Sequence, residues 1–408
     1  MPEHVEAKLV RRRGGLPNVI AKLQAGKDVT IAYFGGSITQ ADGWRPMTHK
    51  WFRKQFPTAK IKQVKAAIGG TGSAMGVFRV GDDVLKYNPD MVFVEFAVND
   101  KGATIRNIWR AMEGIVRQIR RHNAETDICF IYTMNSKWMP RYYKKGFCST
   151  TASAMEKLAD HYNIPSIDVG LKIFEMVQAD EMLYMRKDGV DPGERIVFGC
   201  DICHPTKEGH EVYTKVITDA IEDMIPAGKG KGKVTRYRMK KPFVEDNWED
   251  AKMIPLTPDM LSDGWKKLPK NAKVIESVYT ENPPRIWEAT QPGEKISFKI
   301  RGSKVGLFDM VGPNGAQAIC TVDGRNPAIS ERFDAYCSYH RLSSISIAER
   351  LSPNRIHTIE IEIGRTQPDR SCITDTLKDN PDFNPADFDG TSMWVASIML
   401  IGEIVEDC

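Results

Sequence analysis

The chain has 408 residues, of which 41% are hydrophobic and 27% are charged, and its formal net charge is +4. These values exclude a disordered chain, and the length predicts two or three domains. The small excess of positive charge does not indicate a nucleic-acid-binding surface. No apolar run approaches the roughly 20 residues of a membrane-spanning helix. We therefore expect neither a nucleic-acid partner nor membrane insertion.

The compartment stays open at this point. The start, MPEHVEAKLVRRRGG, lacks the apolar core of a signal peptide. A cleaved signal would leave the same kind of start, so a secreted or periplasmic location stays compatible with the sequence. Eight cysteines are too few for a disulfide scaffold and do not decide the redox compartment.

The first half of the chain alternates short β-branched runs with amphipathic stretches, which predicts strands and helices of a parallel α/β sheet. Apolar residues recur at helical spacing from Ile105 to Ile119 and predict a helix with one buried face. The segment KEGHEVYTKVITDAIEDMI predicts the last helix. The predicted strands are VTIAYF (29–34), AKIKQVKA (59–66), DMVFVEFAV (90–98), DICFIYTM (127–134) and IPSIDV (164–169).

A Gly/Lys-rich stretch after Pro226 predicts a solvated linker. We place a first domain at 1–226, the linker at 227–241 and a second domain at 242–408. The second domain contains short alternating segments separated by turn residues, which predict an all-β sandwich. Its predicted strands include KISFKI, KVGLFDM, AICTVDG, HTIEIEI and VASIMLIG. Four tryptophans there could be sugar platforms, but core packing is the preferred interpretation for each of Trp248, Trp265, Trp287 and Trp394.

Polar residues follow the first three predicted strands. The first strand ends in GGSIT, which places Ser37 on a glycine-loosened turn. The second ends in IGGTGS and the third in FAVND. Open α/β sheets bind ligands at this edge, so Ser37 is either an exposed nucleophile or an ordinary loop residue. Asn99 alone is more often a turn residue that satisfies its own backbone than a catalytic donor. Neither glycine turn has a phosphate-binding pattern.

The segment CDICHP near the end of the α/β unit contains Asp201 and His204, three residues apart. This spacing lets a carboxylate orient an imidazole, and serine, histidine and acid in one unit suggest nucleophilic catalysis. The C-x-x-C-H pattern also occurs at haem attachment sites, but a loop of an α/β unit is not their usual setting. A structural zinc site built from paired cysteines would need a second cysteine pair at ligand spacing. We interpret Cys200 and Cys203 as a buried or locally bridged pair that shapes the loop, and we take His210 as structural.

These four blocks, in this order, resemble the SGNH (GDSL-like) hydrolase superfamily over about the first 225 residues. The resemblance implies a flavodoxin-like three-layer αβα domain that needs no cofactor and no metal. It also implies a catalytic triad of Ser37, Asp201 and His204, and an oxyanion hole of Ser37, Gly70 and Asn99. The chain departs from the family pattern at two points. Gly36 replaces the family's usual acidic residue before the serine. Gly69 precedes Gly70, so either of these adjacent glycines could be the oxyanion donor.

The substrate is predicted from the loop NSKWMPRYYKKGFCST, which offers Trp138, Tyr142 and Tyr143 for substrate binding. Aromatic rings with hydrogen-bonding tips suit a sugar, although these residues could instead pack the loop onto the sheet. A β-sandwich appended to an esterase resembles carbohydrate acetylesterases. We therefore expect a serine esterase that removes acyl groups, O-acetyl above all, from an acetylated oligo- or polysaccharide through an acyl-serine. The alternatives are a lipase or thioesterase of the same family, or a glycan-binding protein with an inactive hydrolase domain. The sequence gives neither the sugar, the acetyl position nor the oligomeric state.

Overall fold

The computed structural model describes residues 4–186, 191–225, 234–276, 278, 284–378, 380 and 383–406. The chain forms two compact units, Met1–Glu249 and Asp250–Cys408. No helix among the described residues is long and apolar enough to cross a membrane.

The first unit contains eight described strands and nine described α-helices. The strands are β1 (Val10–Arg11), β2 (Val29–Gly35), β3 (Ile61–Lys65), β4 (Met91–Glu95), β5 (Asp127–Tyr132), β6 (Ser166–Asp168), β7 (Met182–Met185) and β8 (Ile196–Gly199). The helices are α1 (Pro17–Gln24), α2 (Ser37–Gln40), α3 (Trp44–Gln55), α4 (Ser73–Asp83), α5 (Ile105–His122), α6 (Pro140–Tyr143), α7 (Thr150–Tyr162), α8 (Val169–Gln178) and α9 (Lys207–Glu222).

Six of these strands form one sheet in the order β1-β6-β5-β4-β2-β3. The five strands from β2 to β6 are parallel, and β1 is antiparallel to β6. Counted along the chain, the parallel strands follow the order 2-1-3-4-5 of flavodoxin-like sheets. The prediction of a flavodoxin-like α/β domain is therefore confirmed, and all five predicted strands are present in it.

Helices cover both faces of this sheet. On one face α4 packs against α5 and α5 against α7, and on the other α3 and α8 both pack against α9. The central strands β4 and β5 are buried along their whole length, which explains their continuous apolar runs. Five residues of the predicted stripe of α5 are also buried, namely Ile108, Met112, Ile115, Val116 and Ile119, while Ile105 and Trp109 are half-buried. This three-layer packing fixes the strand ends that carry the polar residues.

Part of the predicted linker, residues 227–233, lies outside the described residues. Residues 234–241 form neither helix nor strand and are mostly exposed. They run along the first unit, where the Tyr237 hydroxyl donates to Asp127 Oδ1 at 2.6 Å and the backbone N–H of Thr235 donates to Asn18 at 2.8 Å. The backbone N–H of Trp248 donates to the carbonyl of Arg110 at 3.0 Å. These contacts hold the segment up to Glu249 on the first unit.

The second unit is built from antiparallel strands, as the prediction of an all-β sandwich requires. Its strands are β9 (Ala251–Pro255), β10 (Lys266–Lys267), β11 (Trp287–Ala289), β12 (Lys295–Val311), β13 (Gln317–Val322), β14 (Arg325–Glu331), β15 (Arg341–Glu349), β16 (Ile356–Ile363) and β17 (Met393–Val405), and its helices are α10 (Lys273–Glu276) and α11 (Ser371–Leu377).

KISFKI and KVGLFDM, predicted as two strands, are halves of the single strand β12. Its first half pairs with β16 and its second half with β15, while β17 runs along its other side. The strand passes from one partner to the next at Gly302, which lies opposite Gly402, and the register shifts there. A side chain at Gly302 would collide with the carbonyl of Ile401. Glycine therefore lets one long strand pair with β16 along its first half and with β15 along its second half.

The tryptophans considered as sugar platforms are buried, at 9% exposure or less. Trp265 and Trp287 belong to the core of the second unit, and the Trp394 indole N–H donates to Glu288 at 2.7 Å. Trp248 lies in the first unit, where its backbone packs against Gly114. Core packing is thus the observed role of all four.

Candidate active site

Ser37 opens helix α2 directly after β2, at the carboxyl edge of the parallel sheet. Gly36, the residue between strand and serine, is covered by the side chain of Asn99 from the turn after β4. A Cβ at Gly36 would collide with that side chain. This contact explains why no acidic residue precedes the serine in this chain.

Ser37, His204 and Asp201 form one hydrogen-bonded row. Ser37 Oγ lies 2.7 Å from His204 Nε2, and His204 Nδ1 lies 2.7 Å from Asp201 Oδ2. Both distances are typical of strong hydrogen bonds. The structure thus brings together the three residues that the sequence singled out as a triad, in the order serine, histidine, aspartate.

The loop that carries the acid and the base is held by its own backbone. Asp201 Oδ1 accepts from the backbone N–H groups of Cys203 and His204, each at 2.8 Å. The Cys200 N–H donates to the His204 carbonyl at 2.9 Å, which closes the loop before α9 begins. Partial burial opposes ionisation of Asp201, but these two N–H donors and the His204 imidazole lower its pKa to about 2. The carboxylate is therefore charged at neutral pH.

The glycine turn after β3 lies beside the serine. Gly69 is so near that its Cβ would lie 3.6 Å from Ser37 Cβ, and its backbone N–H donates to Gln40 Oε1 at 2.8 Å. Gly70 has a positive φ of 74°, and its N–H has no hydrogen-bond partner among the described residues. Since the Gly69 N–H is already used, Gly70 is the glycine that can donate to a ligand.

Asn99 completes the surroundings of the serine. Its side chain lies against Gly36, and its Oδ1 is buried without a hydrogen-bond partner in the described structure. A buried amide oxygen without a partner is costly, so its position calls for an explanation. The Asn99 amide thus lies next to the residue before the serine, and its oxygen is left without a partner by the described residues.

Two buried carboxyl groups brace the strand ends beneath the serine, and the sequence analysis missed both. Glu95 accepts from Thr39 Oγ1 and Thr133 Oγ1, each at 2.9 Å. Asp100 accepts from the Ser73 hydroxyl at 2.6 Å. Burial raises the pKa of Glu95 to about 7 and that of Asp100 to about 6. The available signal was a lone glutamate within the apolar run DMVFVEFAV.

Arg79 of α4 is a further residue that the sequence did not reveal. It is 2% exposed, and its guanidinium donates to the Gly35 carbonyl at 3.0 Å and to Thr71 Oγ1 at 3.1 Å. Its carbon Cζ also lies 4.5 Å from the centre of the Phe34 ring. This arginine ties the strand before the serine to the glycine turn.

The predicted substrate-binding aromatics are mostly buried, which corrects that prediction. Tyr143 is 4% exposed and its hydroxyl donates to Asp168 Oδ1 at 2.7 Å, while Trp138 is 7% exposed. Both belong to the core of the first unit. Only Tyr142 stays partly exposed, and its hydroxyl accepts from Arg141 at 2.9 Å and from Thr150 at 3.1 Å. The loop packs onto the sheet because Trp138 and Tyr143 bury their rings in the hydrophobic core.

Cys200 and Cys203 are not bridged, so the loop is not shaped by a disulfide. Cys200 is exposed and Cys203 is half-buried. Burial, followed by the nearby Asp201 carboxylate, raises the pKa of the Cys203 thiol to about 12. The expected absence of haem and of structural zinc stays a prediction. His210 is structural as expected: it is 6% exposed, its Nδ1 accepts from the Trp44 N–H at 3.2 Å, and burial lowers its pKa to about 4.

Comparison with known proteins finds one matching family model and solved structures of similar fold. Residues 33–212 match the sequence model of the GDSL-like Lipase/Acylhydrolase family. No curated protein sequence matches the chain significantly. Among solved structures, a two-domain esterase active on acetylated mannans matches with a TM-score of 0.73 and 21% identity, over 97% of this chain and 98% of that chain. A structure of such an esterase with mannopentaose matches with a TM-score of 0.71 and 20% identity, over 96% and 95% of the two chains.

Proposed function

The first unit carries a hydrolase domain of the GDSL-like lipase/acylhydrolase family, and from this premise we propose that the protein is an esterase that removes O-acetyl groups from a carbohydrate. The observation that carries the reaction is the row of Ser37, His204 and Asp201 with two hydrogen-bond distances of 2.7 Å. Ester hydrolysis through an acyl-serine is the chemistry that such a row performs.

In the proposed mechanism, His204 Nε2 takes the proton of the Ser37 hydroxyl while Oγ attacks the ester carbonyl. Asp201 accepts the hydrogen bond of Nδ1–H, which fixes the imidazole tautomer and stabilises the imidazolium. The sugar hydroxyl leaves with the proton from His204, and an acetyl-serine remains. Water, deprotonated by the same imidazole, then releases acetate and restores Ser37.

The tetrahedral intermediate carries its negative charge on the former carbonyl oxygen. We propose that the backbone N–H groups of Ser37 and Gly70 and the side-chain amide of Asn99 donate to it. Neither backbone N–H has a hydrogen-bond partner among the described residues. The turn of Gly69 and Gly70 lies beside Ser37, and the Asn99 side chain lies against Gly36, the residue before the serine. Preorganised donors of this kind act mainly on the transition state.

The carbohydrate substrate is supported by likeness over the whole chain. The esterases active on acetylated mannans share both units of this protein across nearly their full length. The partly exposed Tyr142 and the exposed Lys144 and Lys145 keep a polar, aromatic surface on the loop after β5. A lipase would instead need an apolar surface for an acyl chain. We propose an acetylated oligo- or polysaccharide as the substrate class, without assigning the sugar.

The test is acetate release, measured by mass spectrometry, from a panel of acetylated oligosaccharides beside aryl esters of increasing acyl length. We expect turnover of at least one acetylated glycan to exceed that of aryl acetate, because binding of the remote sugar rings helps to orient the ester. A preference for acyl chains of about eight carbons or more would replace the carbohydrate by a lipid substrate. No turnover of any ester would overturn the esterase itself.

Ser37→Ala is the variant that tests the nucleophile in the same assay. We expect it to abolish turnover of the best glycan and of aryl acetate alike, with thermal stability nearly unchanged. A fluorophosphonate probe should label Ser37 in the wild type. Undiminished turnover in the variant would show that another residue attacks the ester.

A further inference from the structure

The loop that carries the proposed acid and base also holds a thiol. Asp201, Cys203 and His204 each offer one ligand atom, and these atoms all lie within 4.8 Å of one another. Cys203 Sγ lies 3.7 Å from His204 Nδ1, and Asp201 Oδ2 lies 2.7 Å from the same nitrogen. A carboxylate oxygen, a sulfur and an imidazole nitrogen thus lie close together in one loop.

The spacing of these atoms is close to that of a zinc site. Zinc bonds of about 2.0–2.3 Å at tetrahedral angles place a nitrogen and an oxygen ligand roughly 3.3 Å apart, and a nitrogen and a sulfur ligand roughly 3.6 Å apart. The observed 3.7 Å between Cys203 Sγ and His204 Nδ1 meets the second value. The 2.7 Å between Asp201 Oδ2 and His204 Nδ1 must widen by about 0.6 Å when a zinc ion replaces the hydrogen bond between the two atoms.

The groups that orient metal ligands are already in place. Asp201 Oδ1 is held by the N–H groups of Cys203 and His204, which leaves Oδ2 for a metal. A metal-bound histidine usually donates its other ring N–H to an acceptor, and Ser37 Oγ lies 2.7 Å from His204 Nε2. The side chains of His204 and Asp201 are 45% and 52% exposed, so an ion can reach them and keep a water as fourth ligand.

We propose that the loop binds an exchangeable Zn²⁺ through Asp201, Cys203 and His204, and that this ion switches the esterase off. Without metal, Nδ1 carries the imidazole proton and Nε2 accepts from Ser37. When Nδ1 binds zinc, its proton moves to Nε2, which can no longer take the proton of the serine. The Cys203 thiol loses its proton to solvent, so one proton is released for each ion bound.

The donor set selects the metal. One thiolate and one imidazole favour Zn²⁺, whereas Mg²⁺ and Ca²⁺ prefer oxygen ligands. Three protein ligands from one short exposed loop, with no buried cage around them, suit reversible binding rather than a permanent structural ion. The inhibitory effect rests on the proposed function, but the binding does not.

Binding is tested first, without any esterase assay. Titration of the chelator-treated protein with Co²⁺ should give a thiolate-to-cobalt charge-transfer band, and calorimetry should give one Zn²⁺ per chain. Cys203→Ser should remove the band and weaken zinc binding about a hundredfold or more, since even loss of an outer partner of a metal ligand costs 10–100-fold. Cys200→Ser is the matched control, because its thiol lies outside the cluster, and it should bind as the wild type does.

Inhibition is tested with aryl acetate turnover in the same three proteins. Zn²⁺ should inhibit the wild type and Cys200→Ser, a chelator should restore turnover, and millimolar Mg²⁺ should have no effect. Cys203→Ser should need about a hundredfold more zinc than the wild type for the same fractional inhibition of its own turnover. Equal zinc binding by wild type and Cys203→Ser would overturn the site, and zinc binding without loss of turnover would overturn the switch. Absence of turnover in metal-free wild type would count against the proposed function alone.

Discussion

Asp201 is partly exposed, unlike the buried Glu95 and Asp100, so its hydrogen bonds outweigh the effect of burial and lower its pKa to about 2. It therefore stays charged down to about pH 3, and its titration contributes no loss of activity above that pH. We expect Asp201→Asn to lower kcat by roughly 10⁴-fold, since an amide cannot stabilise the imidazolium. Steady-state kinetics with aryl acetate measure this loss. A loss below tenfold would make Asp201 a loop-shaping residue only.

Gly36 and Asn99 give a second prediction at the level of single residues. Gly36→Ala should push the Asn99 side chain away from the serine, because the new Cβ would collide with it. We expect kcat for aryl acetate to fall about a hundredfold to a thousandfold with a much smaller change in KM, as for the loss of one oxyanion donor. Gly81→Ala, where a Cβ meets nothing within 4 Å, is the matched control and should be fully active. A pure change in KM would make Asn99 a substrate-binding residue.

The sequence predicts some of these residues well and others not at all. Ser37, Asp201 and His204 could be found because local motifs place them at strand or helix ends, and the fold then brings those ends together. Trp138 and Tyr143 were predicted to bind substrate but are buried, because a loop sequence does not show whether an aromatic side chain points to solvent or into the core. The proposal of Gly70 rather than Gly69 as an oxyanion donor rests on the hydrogen bond from Gly69 to Gln40, which local sequence does not reveal.

At the level of the elements, three buried carboxyl groups lie at the end of a strand of the parallel sheet or in the turn that follows it. Glu95 ends β4, Asp100 follows it, and Asp168 ends β6; burial raises the pKa of Glu95 and of Asp168 to about 7 and that of Asp100 to about 6. Their ordinary values are 4.5 for Glu and 3.8 for Asp, so the folded state binds protons more tightly than the unfolded state does. The stabilisation that comes from protonation of these groups is complete only below about pH 4, and it is lost as the pH rises to about 7.

We therefore expect the melting temperature of the first unit to be higher at pH 5 than at pH 8. Glu95→Gln should reduce this difference, because the amide keeps hydrogen bonds to Thr39 and Thr133 without titrating. Differential scanning calorimetry at the two pH values measures both, and each kcal/mol corresponds to about 2–4 °C for a unit of this size. Glu208→Gln, at an exposed position of α9, is the control and should leave the difference unchanged. Equal pH dependence in wild type and Glu95→Gln would contradict the assignment.

Strand β12 shows what the element pattern could not reveal. Alternation in KISFKI and in KVGLFDM predicts two strands, and the intervening residues read as a turn. The backbone continues because Gly302 can pass close to the carbonyl of Ile401, a contact from a strand nearly 100 residues away. Such long-range pairing leaves no trace in local periodicity, whereas the strand VTIAYF and the helix from Ile105 are set by local pattern and were predicted correctly.

At the level of the whole molecule, each unit has its own hydrophobic core, one between the sheet and helices α1, α3, α8 and α9, and one between the antiparallel strands. We expect damage to one core to spare the other. Gly302→Val should lower the melting temperature of the second unit, because its side chain would collide with the backbone of β17. Turnover of aryl acetate by the first unit should persist. Calorimetry and the ester assay check this together, and equal loss of both units would show that they unfold as one.

The formal net charge of +4 counts every carboxyl group as ionised. Glu95 and Asp168, with pKa values of about 7, are each about half neutral at pH 7, so the folded protein is about one charge more positive than that figure. The unfolded chain, in which both groups ionise near their ordinary values, lacks this excess. Between pH 6 and 7 the electrophoretic mobility of the native protein should therefore change more steeply than composition implies, and unfolding in this range should release protons to the buffer.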